Sequence, residues 1–469
     1  MTSDVRKSPG PTLSMLGAVR TVTGSKFLLE HGGDSVLFDC GLFQGGRELR
    51  QRNWEDAPIG LTRLDAIVLS HAHLDHCGYL PRLVAHGYRG PVHVTEDTAR
   101  LMAVVLPDSA RLLEEEAEYA NRAGYSRHDP ALPLYTEEDA FAALQLCVPH
   151  PFDVDLEITE GTSVRFQPAG HILGSATMLT RLTSPDTSIR FSGDLGRSNH
   201  PLLVPPAPIG DVDWLVVEST YGNRTHDDQD PAERLADVIE RTIRRGGRVI
   251  IPAFAVDRTE VILYHLAALA RSGRLPQVPV YVDSPMALSA LRVYRDAIER
   301  GAHDLRADVP DDVFDVPHLS EVYDTDGSKA ISAGSKPAII IAGSGMATGG
   351  RVIHHLAKFL PDSRNTVVLV GFQATGTRGW QLLNGVEELK IHGRYVRVRA
   401  EVCDLTGFSV HADADALIDW VRTSDREPHG IFVVHGEEQA SKALAHNIHE
   451  QLDWSAVVPR DGERLSLRP

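Results

Sequence analysis

The sequence is poor in three things, and each absence narrows the field. It holds only four cysteines, Cys40, Cys77, Cys147 and Cys403, far apart and with no CxxC pair. That argues against a disulfide scaffold and a thiolate zinc site, and it fits reduced, buried thiols. No apolar run approaches the ~18 to 20 residues of a membrane span, and the start "MTSDVRKSPGPTLSM" lacks the apolar core of a signal peptide. A cytoplasmic protein with no membrane partner is expected. Basic charge is also short: 47 Lys and Arg stand against 64 Asp and Glu, a net charge of -17. A protein that coats nucleic acid nonspecifically is thereby disfavoured, because phosphate binding needs clustered cations. A local basic groove is not excluded, and bound metal ions would add positive charge that this sum omits.

What is present is an alternation of strands and helices over 469 residues, enough for two or three domains at ~150 residues each. Up to about residue 215, the runs "SVLFDCG", "AIVLSH", "PVHVT", "SVRFQPAGH" and "SIRFSGD" read as strands, several ending on His or Asp. From about 235 the rhythm turns regular, with helices such as "ERLADVIERTIRRGG" alternating with strands such as "RVIIPAF", "PVYVDSP", "PAIIIAGSG" and "NTVVLVGFQ". Parallel βαβ units produce that pattern. The tail returns to a helix, "ADADALIDWVRTS", and a strand, "GIFVVHGE".

The densest chemistry follows the apolar run "LDAIVLS". His71 and His73 are two apart, so in an extended segment both rings project to one side, while Asp75 and His76 sit where a helix is ready to begin. One stretch can therefore serve two metals, and neutral imidazole with carboxylate is the set zinc prefers in an open catalytic site. The bland alternative is a polar loop with chance histidines. Further donors stand at strand ends: His171 in "PAGHILGS", Asp194 in "FSGDLG" and His435 in "VVHGE". Each alone would be an ordinary structural histidine or a turn, but together they complete two coordination sets.

These residues resemble a known family. "FDCG" with Asp39, "HAHLDH", His171, Asp194, "VVEST" with Glu218, "GFSVHAD" with His411, and "VVHGE" with His435 are similar to the motif series of the β-CASP branch of the metallo-β-lactamase superfamily. That branch contains the endonuclease of pre-mRNA 3'-end cleavage and bacterial and archaeal ribonucleases. The segments "IPAFAVDRTE", "YVDSPMA", "GSGMATGGR" and "VGFQATGTRG" also resemble the cassette this family inserts.

The resemblance implies an α/β protein with an αββα metallo-β-lactamase fold and an inserted parallel-sheet β-CASP domain. The lactamase portions would span 1–222 and 406–469 and the insert 223–405, with substrate entering between them. The boundary near "RVRAEVCDLTGFS" is open by several residues. It implies two Zn2+ ions per chain, with Mn2+ also compatible: His71, His73 and His171 on one, Asp75, His76 and His435 on the other, and Asp194 bridging. A metal-bound hydroxide would hydrolyse single-stranded RNA, His411 would serve as general acid, and Glu218 would orient it and keep it protonated. Asp39 would orient a ligand or the hydroxide.

Weaker expectations complete the reading. Ser409 is a candidate phosphate contact. Arg258, Arg351 and Arg378 are candidate RNA contacts, because each lies just after a strand end. Gly343, Gly345 and Gly349 in "GSGMATGG" miss the GxGxxG spacing and no GK[ST] follows, so a tight turn is expected and no nucleotide cofactor. The arginines of "RTIRRGGR" and "GRYVRVRAE" read as solvated faces. Neither an RNA-binding module of the archaeal kind before the catalytic portion, nor an extended domain after it, nor a dedicated sequence-reading module is expected; a homodimer is compatible with the pattern. The alternatives are a metal hydrolase acting on DNA or on a small ester, thioester or lactam, and a noncatalytic RNA-processing subunit. The large insert and His435 favour RNA, since DNA-processing members of this branch typically lack that histidine, and all seven ligand positions are filled.

Overall fold

The computed structural model describes residues 10–55, 63–124, 128–226 and 230–468. The chain divides into two compact units, one formed by 1–200, 204–225 and 411–469, the other by 201–203 and 226–410.

The first unit is built on two seven-stranded sheets. One runs in the order Arg464–Ser466, Thr12–Met15, Phe27–His31, Asp34–Phe38, Ala66–Val68, Val92–Thr95, Cys147–His150. The other runs Ala456–Val457, Gly430–Val434, Trp214–Glu218, Thr187–Phe191, Ala176–Leu182, Thr162–Pro168, Asp155–Thr159. The pairing changes within each sheet. Hairpin-linked strands are antiparallel, whereas Asp34–Phe38 through Cys147–His150 and Thr187–Phe191 through Ala456–Val457 are parallel. Parallel neighbours end on the same side, so the residues that follow Phe38, Val68, Phe191, Glu218 and Val434 emerge at shared edges.

Alternation drives the sheets together. Leu13, Phe27, Phe38 and Val68 of one sheet are buried in one core with Phe166, Met178, Phe191, Val216 and Phe432 of the other. Phe38 stacks on Phe191 with centroids 4.1 Å apart. The opposite faces of Trp214–Glu218 and Gly430–Val434 present Leu215, Val217, Ile431 and Val433 to Leu417, Ile418, Leu444 and Ile448 of the helices Ala414–Val421 and Glu438–Leu452. Strands buried on both faces need continuous apolar runs, and "WLVVE" and "GIFVV" supply them. The result is the αββα sandwich expected from the sequence.

The second unit carries a wholly parallel six-stranded sheet in the order Leu319–Glu321, Val280–Val282, Ile339–Ala342, Val249–Pro252, Thr366–Leu369, Glu401–Asp404. The strand Glu401–Asp404, from the segment left open between the two portions, is an edge strand of this sheet. "GSGMATGG" forms the turn between Ile339–Ala342 and the helix Arg351–Phe359, with Ser344 Oγ accepting from the backbone N–H groups of Thr348 and Gly349.

Among the described residues no helix is long and apolar enough to cross a membrane. The four cysteines are unpaired. Cys40 and Cys77 are buried as expected, but Cys147 and Cys403 are only half-buried, because each lies on an edge strand.

A histidine pair outside the "HAHLDH" stretch makes stability depend on pH. His93 Nδ1 lies 2.9 Å from His150 Nε2 across two paired strands. Burial, with the neighbouring imidazole, lowers the His93 pKa to about 4. The unfolded chain takes up this proton near ~6.5 and the folded chain does not, so folding loses stability as pH falls from there toward 4. A His93→Phe variant is expected to show a smaller drop in Tm between pH 7 and pH 5 than the parent. Equal drops would remove this pair from the acid response.

Candidate metal centre

The donor-bearing loops meet because the strands that carry them end together. The strand Ala66–Val68 leads through Leu69 and Ser70 to His71, and His73 is the extended N-cap residue of the short helix Leu74–Cys77. Asp75 and His76 thus lie in the first turn of that helix. His171 follows Thr162–Pro168, Asp194 follows Thr187–Phe191, Glu218 ends its own strand, and His435 follows Gly430–Val434. Two glycines permit the crowding. A Cβ on Gly41 would lie 1.6 Å from the Asp75 carbonyl oxygen, and one on Gly196 would lie 1.6 Å from that of Gly170.

The side chains converge in two groups. His71 Nε2 and His171 Nε2 lie 3.1 and 3.2 Å from His73 Nδ1, and 3.6 and 3.7 Å from Asp194 Oδ2. On the other side, His76 Nε2 lies 3.1 Å from His435 Nε2 and 3.2 Å from Asp194 Oδ1, with Asp75 Oδ2 3.6 Å from His435 Nε2. Asp194 therefore turns one oxygen to each group. Tetrahedral ligands on bonds of about 2.0–2.1 Å would stand roughly 3.3–3.4 Å apart, so these separations suit a small divalent ion in each group.

Two further observations support that fit. Asp194 Oδ1 and His171 Nδ1 are buried, and neither makes a hydrogen bond of proper geometry among the described residues. Burial, joined by neighbouring imidazoles, holds His71 and His171 well below the ordinary histidine range, so both stay neutral and ready to ligate. Burial opposes the charge on Asp194 too, yet the surrounding His435 and His76 keep its carboxyl well below the usual range. For His76 the same burial is outweighed by Asp194 and Asp39, which draw a positive charge to this position.

Asp39 acts through His76. It follows the strand Asp34–Phe38 with φ 58°, and its Oδ2 accepts from His76 Nδ1 at 2.7 Å. That contact turns His76 Nε2 toward the centre. Ser70 fixes Asp39 in turn, donating its backbone N–H at 2.8 Å and its hydroxyl at 3.0 Å. Sequence reasoning missed Ser70, and it missed Thr220, whose Oγ1 lies 3.3 Å from His435 Nδ1. Ser70 adjoins "HAHLDH", but nothing in its identity announces a partner 31 residues away.

His411 stands beside the first group, its ring centroid 4.4 Å from that of His171. Its Nδ1 lies 3.3 Å from Oε1 of fully buried Glu218, which also accepts from the backbone N–H groups of Leu195 and Thr220 at 2.7 and 3.1 Å. The carboxylate is anchored before it meets the imidazole. About a sixth of the His411 side chain remains exposed, so the ring is reachable.

The remaining candidates fare differently. Arg258, Arg351 and Arg378 are the first residues of three helices. Arg258 is buried. Arg351 donates to Asp283 Oδ1 at 2.7 Å and to the carbonyls of Val322 and Tyr323, and Arg378 to the carbonyls of Lys390, Ala347 and Thr348. The guanidinium groups of Arg351 and Arg378 thus hold the protein's own loops, which leaves fewer of their donors for RNA than their positions after strand ends suggest. Ser409 is buried, with no hydrogen-bond partner for its Oγ among the described residues, and a phosphate contact does not follow from that position.

Comparison with known proteins agrees with this architecture. Residues 20–230 match the model of the metallo-beta-lactamase superfamily, 259–382 that of the Beta-Casp domain, and 395–459 that of the Zn-dependent metallo-hydrolase RNA specificity domain. The chain is 38% identical over 436 residues to Ribonuclease TTHA0252 of Thermus thermophilus, covering 91% of this chain and 94% of that one. It is 33% identical over 484 residues to Transcription termination factor FttA of Pyrococcus horikoshii, covering 98% of this chain and 72% of the relative. A crystal structure of a protein of unknown function from Enterococcus faecalis shares the fold, with a TM-score of 0.52 at 15% identity over 97% of this chain and 99% of that one. The chain belongs to the β-CASP branch of the metallo-β-lactamase superfamily, a metal-dependent hydrolase in which the inserted Beta-Casp domain interrupts the lactamase fold.

Proposed function

We propose that the protein is a ribonuclease that hydrolyses phosphodiester bonds of single-stranded RNA. The observation that carries this reading is the pair of donor groups sharing Asp194, with the His411–Glu218 pair at their side. The named activity of the Thermus relative supports the choice of RNA.

In this reading His71, His73 and His171 would hold one ion and Asp75, His76 and His435 the second, with Asp194 available to both. Zn2+ suits the imidazole and carboxylate donors, and Mn2+ is the alternative. Such ions, when bound, would supply an activated water at neutral pH and positive charge against the phosphate. The chain's own residues supply the rest. Asp39 holds the His76 ring so that Nε2 faces the ion. Glu218 faces Nδ1 of His411, which assigns Nε2 as the atom that delivers a proton to the departing 3'-oxygen, a poor leaving group without it.

Asp39→Ala is expected to weaken metal binding by about 10- to 100-fold, the usual effect of removing a ligand's hydrogen-bond partner. Competition against a chelating dye reads this directly, and unchanged affinity would show that His76 needs no such support. The reading as a whole is tested on a denaturing gel of metal-loaded protein with end-labelled single-stranded RNA and the matching DNA. Cleavage of RNA with DNA spared supports it. If neither polymer is cut by protein holding two ions per chain, the nuclease reading fails and hydrolysis of a small ester or lactam takes its place.

A further inference from the structure

The arginines of the second unit divide into two kinds. In "RTIRRGGR", Arg241 and Arg245 share Glu401 and Arg244 meets Glu240, while Arg248 is buried and donates to the carbonyls of Lys336 and Ile331. Arg241, Arg244 and Arg245 match the solvated face expected from the sequence, and Arg248 departs from it, because its guanidinium is taken up by backbone carbonyls inside the unit. The cations of "ELKIHGRYVRVR" are not ion-paired. This segment forms the antiparallel hairpin Glu388–Ile391 and Arg394–Arg397, in which Lys390 lies opposite Tyr395 and Glu388 opposite Arg397. Lys390, Arg394, Arg397 and Arg399 have no carboxylate within 4 Å among the described residues.

The hairpin has two different faces. Leu389 and Ile391 are buried, and Val396 and Val398 pack half-buried against the same core. Tyr395, Arg397 and Arg399 alternate with those valines and all point outward, and Tyr395 is 70% exposed. Val398 N–H continues the ladder to the Glu387 carbonyl, so the row runs on past the strand end. Successive outward side chains stand about 6.6–6.8 Å apart along a strand. An exposed ring beside cations at this stride offers a base a stacking surface and its backbone a set of charges. Between residues 388 and 399 four cations face one carboxylate, in a chain whose net charge is -17. Tyr395 is the most exposed large apolar side chain among the described residues, and unlike Leu132 or Tyr119 it stands in a row of unpaired cations.

We propose that this face, Lys390, Tyr395, Arg397 and Arg399, is an auxiliary anchoring surface for single-stranded RNA, separate from the metal-binding residues. The inference rests on RNA being the substrate. Its partner is chosen on charge complementarity and on the ring: phosphates satisfy the cations, and a base satisfies Tyr395. An acidic protein segment would use the cations and leave the ring idle.

The test is fluorescence anisotropy of the full-length, metal-loaded protein with a labelled 20-nucleotide phosphorothioate RNA, which keeps its charge and resists cutting. Tyr395→Ala is expected to bind about tenfold more weakly, while Tyr395→Trp stays close to the parent. Arg397→Gln with Arg399→Gln is expected to flatten the dependence of log Kd on log salt by about 0.7 per cation removed. All three positions tested are exposed, so Tm is expected to hold. If the parent binds RNA and every variant binds with the same affinity and salt slope, the hairpin is not the anchor. If the variants lose binding of a poly-glutamate peptide but keep RNA, the partner is an acidic protein instead and the proposal is overturned. A parent that binds no RNA at all would overturn the ribonuclease reading, on which this one depends.

Discussion

Asp194→Ala is expected to abolish RNA cleavage and to reduce bound metal from two ions per chain to one or none. The expected loss exceeds the roughly 10- to 100-fold typical of removing a ligand's hydrogen-bond partner, because one carboxylate faces both donor groups. Its Oδ2 lies 3.6 and 3.7 Å from the nitrogens of His71 and His171, and its Oδ1 lies 3.2 Å from His76 and 3.3 Å from His435. Removing it leaves two clusters of imidazoles with less negative charge to hold cations, and the ions repel one another with nothing between them. Asp194→Asn separates charge from shape. The amide keeps one oxygen and replaces the other by a donor, so one ion is retained and the second is lost. Elemental analysis of dialysed protein reads the stoichiometry independently of activity. Two ions in Asp194→Ala would mean that the groups are filled without a shared ligand.

His411→Ala is expected to lower kcat by about 10²- to 10⁴-fold while leaving metal content and RNA affinity near those of the parent. The distinguishing signature lies in the pH profile. A general acid must be protonated when the bond breaks, so with His411 in that role the parent's rate is expected to fall on the alkaline side. The alanine variant lacks that limb, and its residual rate no longer falls there. Glu218→Gln is expected to lose less. The amide oxygen can still accept from Leu195 N–H, which accounts for one of the two anchoring contacts of the carboxylate. Restoration of rate in His411→Ala by added imidazole would support proton delivery, whereas a substrate whose leaving group needs no proton should be cut equally by parent and variant.

Much of the centre was legible because its donors are concentrated. Four of them fall between His71 and His76, and the spacing of two already placed His71 and His73 on one side. The structure brings their ring nitrogens within 3.1 Å of each other. Asp194, His435 and His171 were legible for a different reason: each follows a strand. Thr187–Phe191 and Gly430–Val434 run parallel to Trp214–Glu218, and Thr162–Pro168, antiparallel to its neighbour, points the same way as Thr187–Phe191 two strands on. The hydrogen-bond supports were not legible. Ser70 and Thr220 matter only through partners brought from elsewhere in the chain, and a serine or threonine carries no pattern that names such a partner.

The same distinction explains the arginines. Sequence position puts Arg351 and Arg378 at the starts of helices after strands, and that part of the reading matches the structure. It says nothing of Asp283 or of the carbonyls that take up their donors. In the fold, the least legible element is the helix Glu96–Ala123, 28 residues long with Pro107 inside it. A proline ordinarily breaks a helical pattern. Here Thr95 caps the start, accepting from Thr98 N–H, Gly124 ends it at φ 64°, and Leu101, Met102, Val105 and Leu106 are buried along one flank. The edge strand Glu401–Asp404 was ambiguous for a related reason. Its pairing with Thr366–Leu369 joins residues 35 apart, across a hairpin that belongs to neither strand.

The most direct measurement is a titration of metal-free protein with Zn2+, following bound metal and the rate of cleavage of end-labelled RNA in the same samples. The account predicts that the first equivalent binds with little cleavage and that activity rises with the second, reaching its plateau at two ions per chain. Full activity at one equivalent would contradict a centre that works through two ions, and two bound ions without cleavage of RNA would contradict the proposed reaction itself.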